Sequence, residues 1–405
     1  MRYDGIVVGG GPAGMFAAIT AARQGQKVLL LEKNGRLGKK LLITGKGRCN
    51  VTNNCDNQTV LNNTPRNGRF LYSALDGCTT QDVMAFFESL GCPLKTERGE
   101  RVFPVSDRSQ SVLEALQKGL RQAGVTVKTG RAKSIVTENG AVAGVQTEAE
   151  TLEARWVILA TGGLSYPATG STGDGFAIAQ ALGHTVTPCE GSLVPLETAG
   201  EDCQAMQGLS LRNVAVKLVN TKGKVLFKDF GELLFTHFGV SGPTVLSASA
   251  HLKGSCTLML DLKPALEEAK LDARILRDLE TYKNRTMENA LTDLLPSSMI
   301  PVVLRRIGVD GALQANSFTK ENRRALIDTL KGFAIEITGK RPVEEAIITS
   351  GGIKVSEIDP KTMASKKLPG LYFAGEIIDC DAYTGGFNLQ VAWATAHAAG
   401  IAVSS

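Results

Sequence analysis

The strongest constraint on the fold of this chain lies near its N-terminus. Residues 3–8 form a short apolar run, residues 13–24 are rich in alanine with helical character, and residues 27–32 (KVLLLE) form a second apolar run. The sequence GGGPAG joins the first run to the alanine-rich segment. A strand, a tight turn, a helix and a strand in this order predict the β-α-β unit that opens many α/β domains.

The glycines of this turn have the spacing G-x-G-x-x-G and are Gly9, Gly11 and Gly14. The first lets the chain turn sharply, the second lets the backbone approach a pyrophosphate, and the third allows close helix–strand packing. The helix begins at Pro12 and Ala13 and presents free N–H groups to phosphates, while Glu32 ends the second strand, where an acid binds ribose hydroxyls. We therefore predict dinucleotide binding; the alternative is a glycine-rich turn in an unrelated α/β domain.

The composition is that of an ordinary globular protein, with 405 residues of which 43% are hydrophobic and 21% are charged. At roughly 100–200 residues per domain, this length predicts two or three domains. No apolar run approaches the ~20 residues of a membrane-spanning helix, and no signal peptide is visible. We therefore expect a cytoplasmic protein without a membrane partner.

The eight cysteines are scattered, and no two of them form a C-x-x-C pair. This spacing argues against a structural zinc site and against the dithiol of a disulfide reductase, and it suits reduced thiols. No H-x-x-x-H sequence or acidic pair suggests another metal, and no Ser-His-Asp arrangement is visible. We predict no metal site.

The net charge of +5 is unevenly distributed, because basic residues concentrate in residues 27–48 and 305–341. Such stretches suit a phosphate-bearing ligand, an anionic substrate or nucleic acid. No aromatic interleaving or RNP-like motif accompanies the second stretch, so RNA binding would rest on charge alone. Four arginines there could contact phosphates or form a solvated helix face, namely Arg305, Arg306, Arg323 and Arg324.

The C-terminal part of the chain carries a second set of candidate ligand contacts. Residues 371–376 (LYFAGE) form a buried strand pattern that ends at Gly375 and Glu376, and Asp379 follows. The sequence TGGFNLQ then opens an alanine-rich helix. A plain amphipathic terminal helix is the alternative, but Gly-Gly-Phe-Asn is a poor opening for packing alone.

With residues 156–163 (WVILATGG), this arrangement resembles the flavoproteins that contain two dinucleotide-binding domains. The resemblance implies FAD as the cofactor, with Gly375, Glu376 and Asp379 closing its site. It also implies that the last helix, beginning after Gly386, points its N-terminus at the flavin ring. The backbone N–H groups that would stabilise negative charge on the reduced ring are those of Asn388, Leu389 and Gln390.

Four further motifs make the resemblance narrower. They occupy residues 36–53 (RLGKKLLITGKGRCNVTN), 161–175 (TGGLSYPATGSTGDG), 232–243 (ELLFTHFGVSGP) and 349–353 (TSGGI). In this order they resemble a bacterial family of FAD flavoproteins that includes aminoacetone oxidase-like enzymes. The same family includes the 3-dehydro-bile acid Δ4,6-reductase and a ribosomal-RNA dihydrouridine synthase.

The family resemblance implies that the cationic loop after the first β-α-β unit runs along the flavin. A cation near N1 and C2 of the ring raises its reduction potential, whereas the alternative is a solvated basic face. Cys49 is expected to be a small residue packed beside the flavin, in preference to a redox or nucleophilic thiol. The loop candidates are Lys39, Lys40, Leu42, Arg48, Cys49 and Asn50, and the other cofactor-binding candidates are Lys33, Arg131, Ala132, Thr161 and Gly162.

Two residues are candidates for catalysis. Tyr166 lies in a loop that follows a strand end, where its phenol could protonate a substrate carbon as flavin N5 gives hydride to the neighbouring carbon; the alternative is an aromatic wall over the ring. His237 is either a general acid near the flavin or a hydrogen-bonded structural histidine. Asp174 is expected to cap a helix over residues 175–182.

The middle of the chain interrupts the nucleotide-binding pattern. Residues 213–262 alternate apolar and polar residues in short runs, which predicts an antiparallel barrel or small sheet. Residues 264–331 change to helical spacing with many charges. The G-x-G-x-x-G fingerprint does not recur, so NAD(P)H, if it reduces the flavin, must use the substrate cleft and leave before the substrate binds.

We therefore predict an α/β fold: a Rossmann-like two-dinucleotide-binding-domain flavoprotein with a split FAD domain and an inserted β-rich domain that carries a helical subdomain. The predicted domains are residues 1–190 with 350–405, residues 191–263 with 332–349, and residues 264–331. The active site is expected where the flavin ring meets the inserted domain, walled by Tyr166, His237 and the loop at residues 48–50.

The resemblance favours NAD(P)H-driven reduction of a conjugated C=C, in a 3-oxo-Δ4 steroid or bile-acid-like enone, by hydride from flavin N5. The alternatives are dihydrouridine synthesis on ribosomal RNA and an O2-dependent amine oxidase, with a non-enzymatic flavin sensor as a further one. Small molecules and ribosomal RNA are thus the candidate partners, and the sequence does not indicate the oligomeric state.

Overall fold

The computed structural model describes residues 3–404, which form two compact units. The discontinuous unit runs up to Ser192 and resumes at Val343. The inserted unit is Leu193–Pro342. Each unit has its own hydrophobic core.

The strands before Leu193 are β1 (Gly5–Val8), β2 (Val28–Glu32), β3 (Thr52–Asn53), β4 (Leu94–Glu97), β5 (Arg101–Pro104), β6 (Thr126–Thr129), β7 (Ala132–Glu138), β8 (Ala141–Thr147), β9 (Thr151–Glu153), β10 (Trp156–Leu159) and β11 (Val186–Ser192). The helices of this part are α1 (Pro12–Arg23), α2 (Lys39–Ile43), α3 (Asn57–Asn62), α4 (Tyr72–Gly77), α5 (Thr80–Ser89), α6 (Ser109–Gln122) and α7 (Asp174–Ala181).

The inserted unit contains β12 (Leu196–Thr198), α8 (Asp202–Ala205), β13 (Ser210–Asn220), β14 (Val225–Thr236), β15 (Gly239–Ser241), α9 (Pro243–Ser249), β16 (Cys256–Asp261), α10 (Glu268–Thr281), α11 (Met287–Ala290), α12 (Ile300–Arg306), α13 (Lys320–Lys331) and β17 (Phe333–Lys340). The last part of the chain contains β18 (Ile348–Ile353), β19 (Leu371–Phe373) and α14 (Phe387–Ala402).

A parallel sheet with the strand order β19-β10-β1-β2-β6 forms the centre of the discontinuous unit. Gly5 in β1 pairs with Trp156 on one side and with Val28 on the other. Every residue of β1, β2 and β10 is buried, as expected for strands covered on both faces. The C-terminal strand β19 completes one side of the sheet by pairing with β10.

Helix α14 is apolar on nearly all sides and is largely buried, as a helix without a polar face must be. It packs against α1, where Gly400 lies close to Thr20. The indole of Trp393 contacts the rings of Phe16 and Phe87, with centroids 5.5 and 5.3 Å away. Helix α1 follows the turn after β1, and α14 follows the loop after β19. The packing of the two helices against each other therefore holds both of these connections beside the sheet.

The remaining strands of the discontinuous unit form small sheets. β3, β5 and β4 make one sheet and β7, β8 and β9 another, while β11 pairs antiparallel with β18. The TSGGI sequence predicted as a motif lies in β18.

The inserted unit is built on a closed barrel with the order β12-β15-β14-β13-β16-β17. Inward and outward residues alternate along β16, whose Cys256, Leu258 and Leu260 are buried. Helices α10 and α13 bury Leu271, Ile275 and neighbouring apolar side chains in the same core. The predicted fold class, a split Rossmann-like unit with a β-rich insertion that carries helices, is confirmed. In residues 3–404 no helix is both long and apolar enough to span a membrane.

Candidate cofactor site

The turn between β1 and α1 packs more tightly at two of its glycines than at the third. A Cβ atom at Gly9 would lie 2.4 Å from the Ala160 carbonyl oxygen, and one at Gly14 would lie 1.8 Å from the Gly9 carbonyl oxygen. A Cβ atom at Gly11, by contrast, would meet nothing within 4 Å. The backbone φ of Gly11 is −81°, a value that any residue adopts. The space at Gly11 is therefore open, as the approach of a pyrophosphate requires.

The N-terminus of α1 has the properties of an anion site. No side chain caps the helix, Pro12 occupies its first position, and no acidic residue lies in its first turn. Backbone N–H groups at the start of a helix have no intrahelical acceptor, and the helix dipole favours negative charge there. A Cβ atom at Gly375 would lie 2.7 Å from the Cβ of Ala13, so the structure brings the C-terminal glycine motif to this helix end.

Glu32 lies beside the same turn, at the end of β2. Its buried carboxylate accepts hydrogen bonds from the backbone N–H of Gly10 (2.6 Å) and from the backbone and side-chain nitrogens of Asn34 (2.7 Å each). Three donors leave room for another on a carboxylate, which has about four acceptor sites. Glu32 is thus oriented by the protein and can still bind a hydroxyl.

Two buried oxygen atoms have no hydrogen-bond partner among the described residues. They are Thr161 Oγ1, near this turn, and Asn50 Oδ1, near the start of α14. Thr161 follows β10, and its Cα would lie 3.1 Å from a Cβ at Gly9. Asn50 Oδ1 would lie 3.0 Å from a Cβ at Gly386, the residue that precedes α14. Buried polar atoms are normally hydrogen-bonded, so both positions fit a bound group with polar atoms, as FAD has.

The side chains at the start of α14 hold the neighbouring backbone. The Asn388 amide accepts from the Ala382 N–H (2.9 Å) and donates to the Ala382 carbonyl (2.7 Å), while the buried Gln390 amide bonds Cys78 and Thr52. The Gln390 N–H donates to the Gly386 carbonyl at 3.0 Å. The prediction that this N–H group is free to face the flavin is therefore wrong. The N–H groups of Asn388 and Leu389 remain at the positions where a helix has no acceptor of its own.

Two of the predicted cofactor-binding cations meet at one carboxylate. Asp174 accepts two hydrogen bonds from Arg131 (2.9 and 3.0 Å) and one from Lys33 (3.0 Å). The Arg131 guanidinium, followed by Lys33, holds the pKa of Asp174 well below its ordinary value. The expected capping role of Asp174 is wrong, because α7 begins at Asp174 itself and the preceding Gly173 has the capping position with φ 80°. Ala132 begins β7 beside Arg131.

The predicted loop cations are also bound within the protein. Arg48 pairs with Glu97 and Asp107, and its guanidinium lies over the Phe103 ring at 4.1 Å. The hydrogen bonds that Arg48 donates to Glu97 and then to Asp107 raise its pKa. Its side chain is therefore directed to β4 and β5.

Two other loop candidates have contacts of their own. The Lys39 ammonium donates to Asn34 Oδ1 (3.2 Å). The Leu42 carbonyl accepts from Ser109 Oγ (2.8 Å). Neither contact involves a charged partner, so the Lys39 ammonium keeps donors for a further group.

The loop that contains these residues has an unusual backbone. Gly45, Lys46, Gly47 and Cys49 all have positive φ, with 57° at Lys46 and 60° at Cys49. Such values are uncommon for residues with a side chain, and they concentrate at functional sites. Burial raises the pKa of the Cys49 thiol to about 12, so Cys49 is a neutral thiol and not the thiolate that a nucleophile needs. All eight cysteines are unpaired with one another.

Asp379 is positioned by a residue that the sequence analysis missed. Its carboxylate is almost fully buried and accepts from Arg66, through Nε and through Nη2 at 3.2 Å, while Asn67 Nδ2 donates to the Asp379 carbonyl (2.6 Å). Nearby, Asp381 accepts from Ser192 and Ser350, and burial raises its pKa. Arg66 stands in a polar loop with no motif spacing, so no sequence signal indicated its role.

Lys40 and Glu376 form an ion pair with N–O distances of 2.7 and 3.0 Å. They meet at Ser165, next to Tyr166, whose backbone is left-handed with φ 53° and ψ 60°. A Cβ atom at Gly162 would lie 3.9 Å from Glu376 Oε2. The structure thus brings Lys40, Glu376, Gly162 and Tyr166 to one region of the discontinuous unit.

His237 lies in the inserted unit, in the turn between β14 and β15. It is exposed, and its ring packs edge-on against Phe238 with centroids 5.0 Å apart. In residues 3–404, no group of three or more metal-ligating side chains is placed to hold an ion.

A split Rossmann unit with an open pyrophosphate position, an oriented acid at the second strand and polar atoms left for a ligand is the arrangement with which FAD-dependent oxidoreductases bind their dinucleotide. Comparison with known proteins identifies the family. The model described as "HI0933-like protein Rossmann domain" matches residues 3–402, and the chain belongs to this family.

Two curated relatives match along the whole chain. The 3-dehydro-bile acid delta(4,6)-reductase of Clostridium scindens is 31% identical over 98% of this chain and 98% of its own length. The ribosomal RNA dihydrouridine synthase of Escherichia coli K12 is 29% identical over 98% of this chain and 97% of its own length. The predicted family resemblance is confirmed, and the chain is an FAD-dependent oxidoreductase.

Solved structures show the same fold at low sequence identity. The 3-ketosteroid delta1-dehydrogenase from Sterolibacterium denitrificans aligns with a TM-score of 0.53 and 14% identity, over all of this chain and 99% of that one. The 3-ketosteroid-delta4-(5alpha)-dehydrogenase from Rhodococcus jostii RHA1 aligns with a TM-score of 0.50 and 16% identity, over all of this chain and 97% of that one.

Proposed function

We propose that this protein reduces the C=C of a 3-oxo-Δ4 steroid or bile-acid-like enone, with NAD(P)H as electron donor. The observation that carries the proposal is the similarity, along 98% of the chain, to a relative named 3-dehydro-bile acid delta(4,6)-reductase. The two dihydrouridine synthases match over a similar length, and converting uridine to dihydrouridine is also reduction of a C=C. Reduction of an activated double bond is therefore the chemistry common to these relatives.

FAD, when bound, supplies a hydride to one carbon of the double bond. The residues of this chain would bind and orient it: the open space at Gly11 would accept the pyrophosphate, and Glu32 would bind ribose hydroxyls. The N–H groups of Asn388 and Leu389, at the positive end of α14, would favour negative charge beside the ring. The sequence holds one dinucleotide fingerprint, so NAD(P)H uses the substrate cleft and leaves before the substrate enters.

Tyr166 is the proposed proton donor to the α-carbon of the enone. Its loop follows β10, the strand that pairs with β1, and its left-handed backbone is costly for a bulky residue. A phenol is a neutral proton donor, and a fixed loop holds its hydroxyl in one place for the transfer. His237, exposed in the inserted unit, is the alternative acid.

The proposal is tested under anaerobic conditions. The flavin of the purified protein is bleached with NADH or NADPH, and the absorbance is followed as a 3-oxo-Δ4 bile acid is added. Rapid return of the oxidised spectrum supports the proposal. If only O2 restores the spectrum and small amines then drive steady O2 consumption, the protein is an amine oxidase and the proposal is wrong.

Tyr166→Phe separates the two half-reactions. We expect it to slow reoxidation by the enone by about 10²-fold or more, the usual contribution of a general acid, and to leave reduction by NAD(P)H unchanged. Stopped-flow absorbance measures both rates, and Tyr72→Phe, on an exposed tyrosine, is the matched control. Equal slowing of both half-reactions would make Tyr166 a packing residue.

Dihydrouridine synthesis on ribosomal RNA is the second candidate, because two relatives with that name match at 29% and 28% identity. The helical arginines do not favour it. Arg305 and Arg306 both pair with Asp202, Arg323 pairs with Asp272, and Arg324 pairs with Glu268 and Asp328. Their charge is thus largely balanced within the inserted unit. Unmodified ribosomal RNA that reoxidises the flavin and binds with steep salt dependence would favour this candidate.

A further inference from the structure

Three other segments of the discontinuous unit meet at Ser165. Lys40 comes from α2, Thr349 from β18, and Glu376 from the turn that follows β19. Ser165 and Thr349 are almost completely inaccessible to solvent. Ser165 directly precedes Tyr166, so whatever holds Ser165 also determines where the Tyr166 backbone lies.

The hydroxyl of Thr349 binds two consecutive amides of the Tyr166 loop. Thr349 Oγ1 accepts from the N–H of Leu164 at 2.7 Å and from the N–H of Ser165 at 3.1 Å. On the other side of Tyr166, its carbonyl accepts from the N–H and the hydroxyl of Thr169, at 2.8 and 2.7 Å. The left-handed residue is therefore fixed on both sides by hydrogen bonds.

Lys40 and Glu376 bind each other and Ser165 within this cluster. An ammonium has three donors, and Lys40 Nζ directs them to Ser165 Oγ (2.6 Å) and to the two oxygens of Glu376 (2.7 and 3.0 Å). Glu376 Oε1 also accepts from the Thr349 N–H (2.9 Å) and from the Ser165 hydroxyl (3.2 Å). Oε1 is therefore held by the cluster, whereas Oε2 accepts from Lys40 and keeps an acceptor site for another group.

We propose that Lys40, Ser165, Thr349 and Glu376 are positioning residues that hold the Tyr166 loop in its left-handed conformation. The catalytic meaning of the positioning rests on the proposed role of Tyr166, whereas the positioning itself does not depend on the substrate.

A matched control for Thr349 lies on the same pair of strands, β11 and β18. Thr187 in β11 also uses its hydroxyl to accept from a backbone N–H, that of Gly352 in β18, at 3.1 Å. Thr349→Val and Thr187→Val therefore remove the same group from similar positions. Only the first removes hydrogen bonds to the Tyr166 loop.

The test is hydrogen–deuterium exchange of the FAD-loaded protein, followed by mass spectrometry on peptides covering residues 161–170. In Thr349→Val we expect exchange at Leu164 and Ser165 to become about tenfold faster or more, since two buried N–H groups lose their acceptor. Thr187→Val should leave these peptides at the wild-type rate. Unchanged exchange in Thr349→Val, or equal acceleration in both variants, would overturn the proposal. Thr349→Ala, which removes the same hydroxyl, takes the place of Thr349→Val if that variant does not fold.

The rates of the two flavin half-reactions distinguish a positioning role of the cluster from a merely structural one. We expect Thr349→Val to slow substrate-driven reoxidation of the flavin by about tenfold or more and to leave its reduction by NAD(P)H unchanged, as Tyr166→Phe does. Equal slowing of both half-reactions would overturn the catalytic meaning of the cluster. If the wild type is not reoxidised by any enone, the proposed function fails, while the exchange results still decide the positioning.

Discussion

At the scale of single residues, the three glycines of the first turn have different reasons to be glycine. Gly9 and Gly14 are enclosed by the protein's own backbone, whereas Gly11 faces open space and has an ordinary backbone conformation. Neither the fold nor the local conformation requires glycine at position 11. A ligand that occupies the open space does require it.

We therefore predict that Gly11→Val and Gly14→Val fail in different ways. Gly11→Val should fold with wild-type stability and lose FAD, because its side chain fills the space for the pyrophosphate. Gly14→Val should lower the free energy of unfolding of the apoprotein by about 2 kcal/mol or more, because its Cβ meets the Gly9 carbonyl. Flavin absorbance and urea unfolding measure the two effects, and a yellow Gly11→Val variant would contradict the assignment.

The buried side chain of His184 makes stability depend on pH. Its Nε2 lies 2.9 Å from Ser365 Oγ, its ring packs edge-on against Phe373, and Nδ1 has no hydrogen-bond partner among the described residues. Burial lowers the pKa of His184 in the folded state. The unfolded chain therefore binds this proton more strongly than the folded one does. The stability that neutral His184 contributes is complete above its ordinary pKa near 6.5 and is lost as the pH falls below it.

We predict that the urea midpoint falls between pH 7.5 and pH 5.5, and that it falls less in His184→Gln than in wild type. Both tryptophans, Trp156 and Trp393, lie in the discontinuous unit with His184, so their fluorescence reports on the relevant part of the protein. His237→Gln, at an exposed histidine, is the control. The same fall in His184→Gln as in wild type would exclude His184 as the source.

The residue types of the site could be predicted from the sequence, but their partners could not. The sequence predicts Lys40 and Arg48 as cations near the flavin, and in the structure each is bound to a carboxylate that no local pattern connects to it. Glu376 is 336 positions away from Lys40 along the chain, and only the assembled fold brings them together. The missed role of Arg66 has the same cause, since its partner Asp379 comes from the other end of the discontinuous unit.

At the scale of elements, the contact between α1 and α14 depends on a small residue in each helix. A Cβ atom at Gly400 would lie 2.7 Å from the Thr20 Cβ and 2.9 Å from the Ala17 carbonyl oxygen. The two helices therefore approach closely at this point, and their approach positions the N-terminus of α14 beside Asn50 and Thr52.

We predict that Gly400→Val destabilises the discontinuous unit by about 1–3 kcal/mol, the usual cost of overpacking a core. Urea unfolding followed by tryptophan fluorescence measures it. Ile401→Val, at an exposed position of the same helix, should change the free energy of unfolding by less than about 0.5 kcal/mol. Similar effects from both variants would mean that the helix contact is not tightly packed.

The sequence predicts elements well where their pattern is local. The β-α-β unit, the apolar strands and the long terminal helix follow from runs of one residue class. The alternation in residues 213–262 indicated a barrel or a sheet without deciding between them. Closure depends on β17, which follows the helical segment and pairs with both β16 and β12, and alternation within one strand carries no information about such distant partners.

At the scale of the whole molecule, the inserted unit has what an independent domain needs. Its barrel is closed, so none of its six strands leaves a free edge within it, and helices α10 to α13 add to one continuous core. We predict that a chain of residues 193–342 folds alone, with cooperative thermal unfolding by circular dichroism. Gradual unfolding and binding of a hydrophobic dye would contradict this prediction.

The strand order of the central sheet has a consequence for synthesis on the ribosome. β10 pairs with β1 on one side and with β19 on the other, and β19 is translated only after the whole inserted unit. Until then the nascent sheet has an uncovered apolar edge at β10, which is the kind of edge that pairs with other chains. We expect translation arrest within residues 193–370 to yield aggregation-prone products, so this protein depends on completing its last strand promptly and on protection of that edge in the meantime.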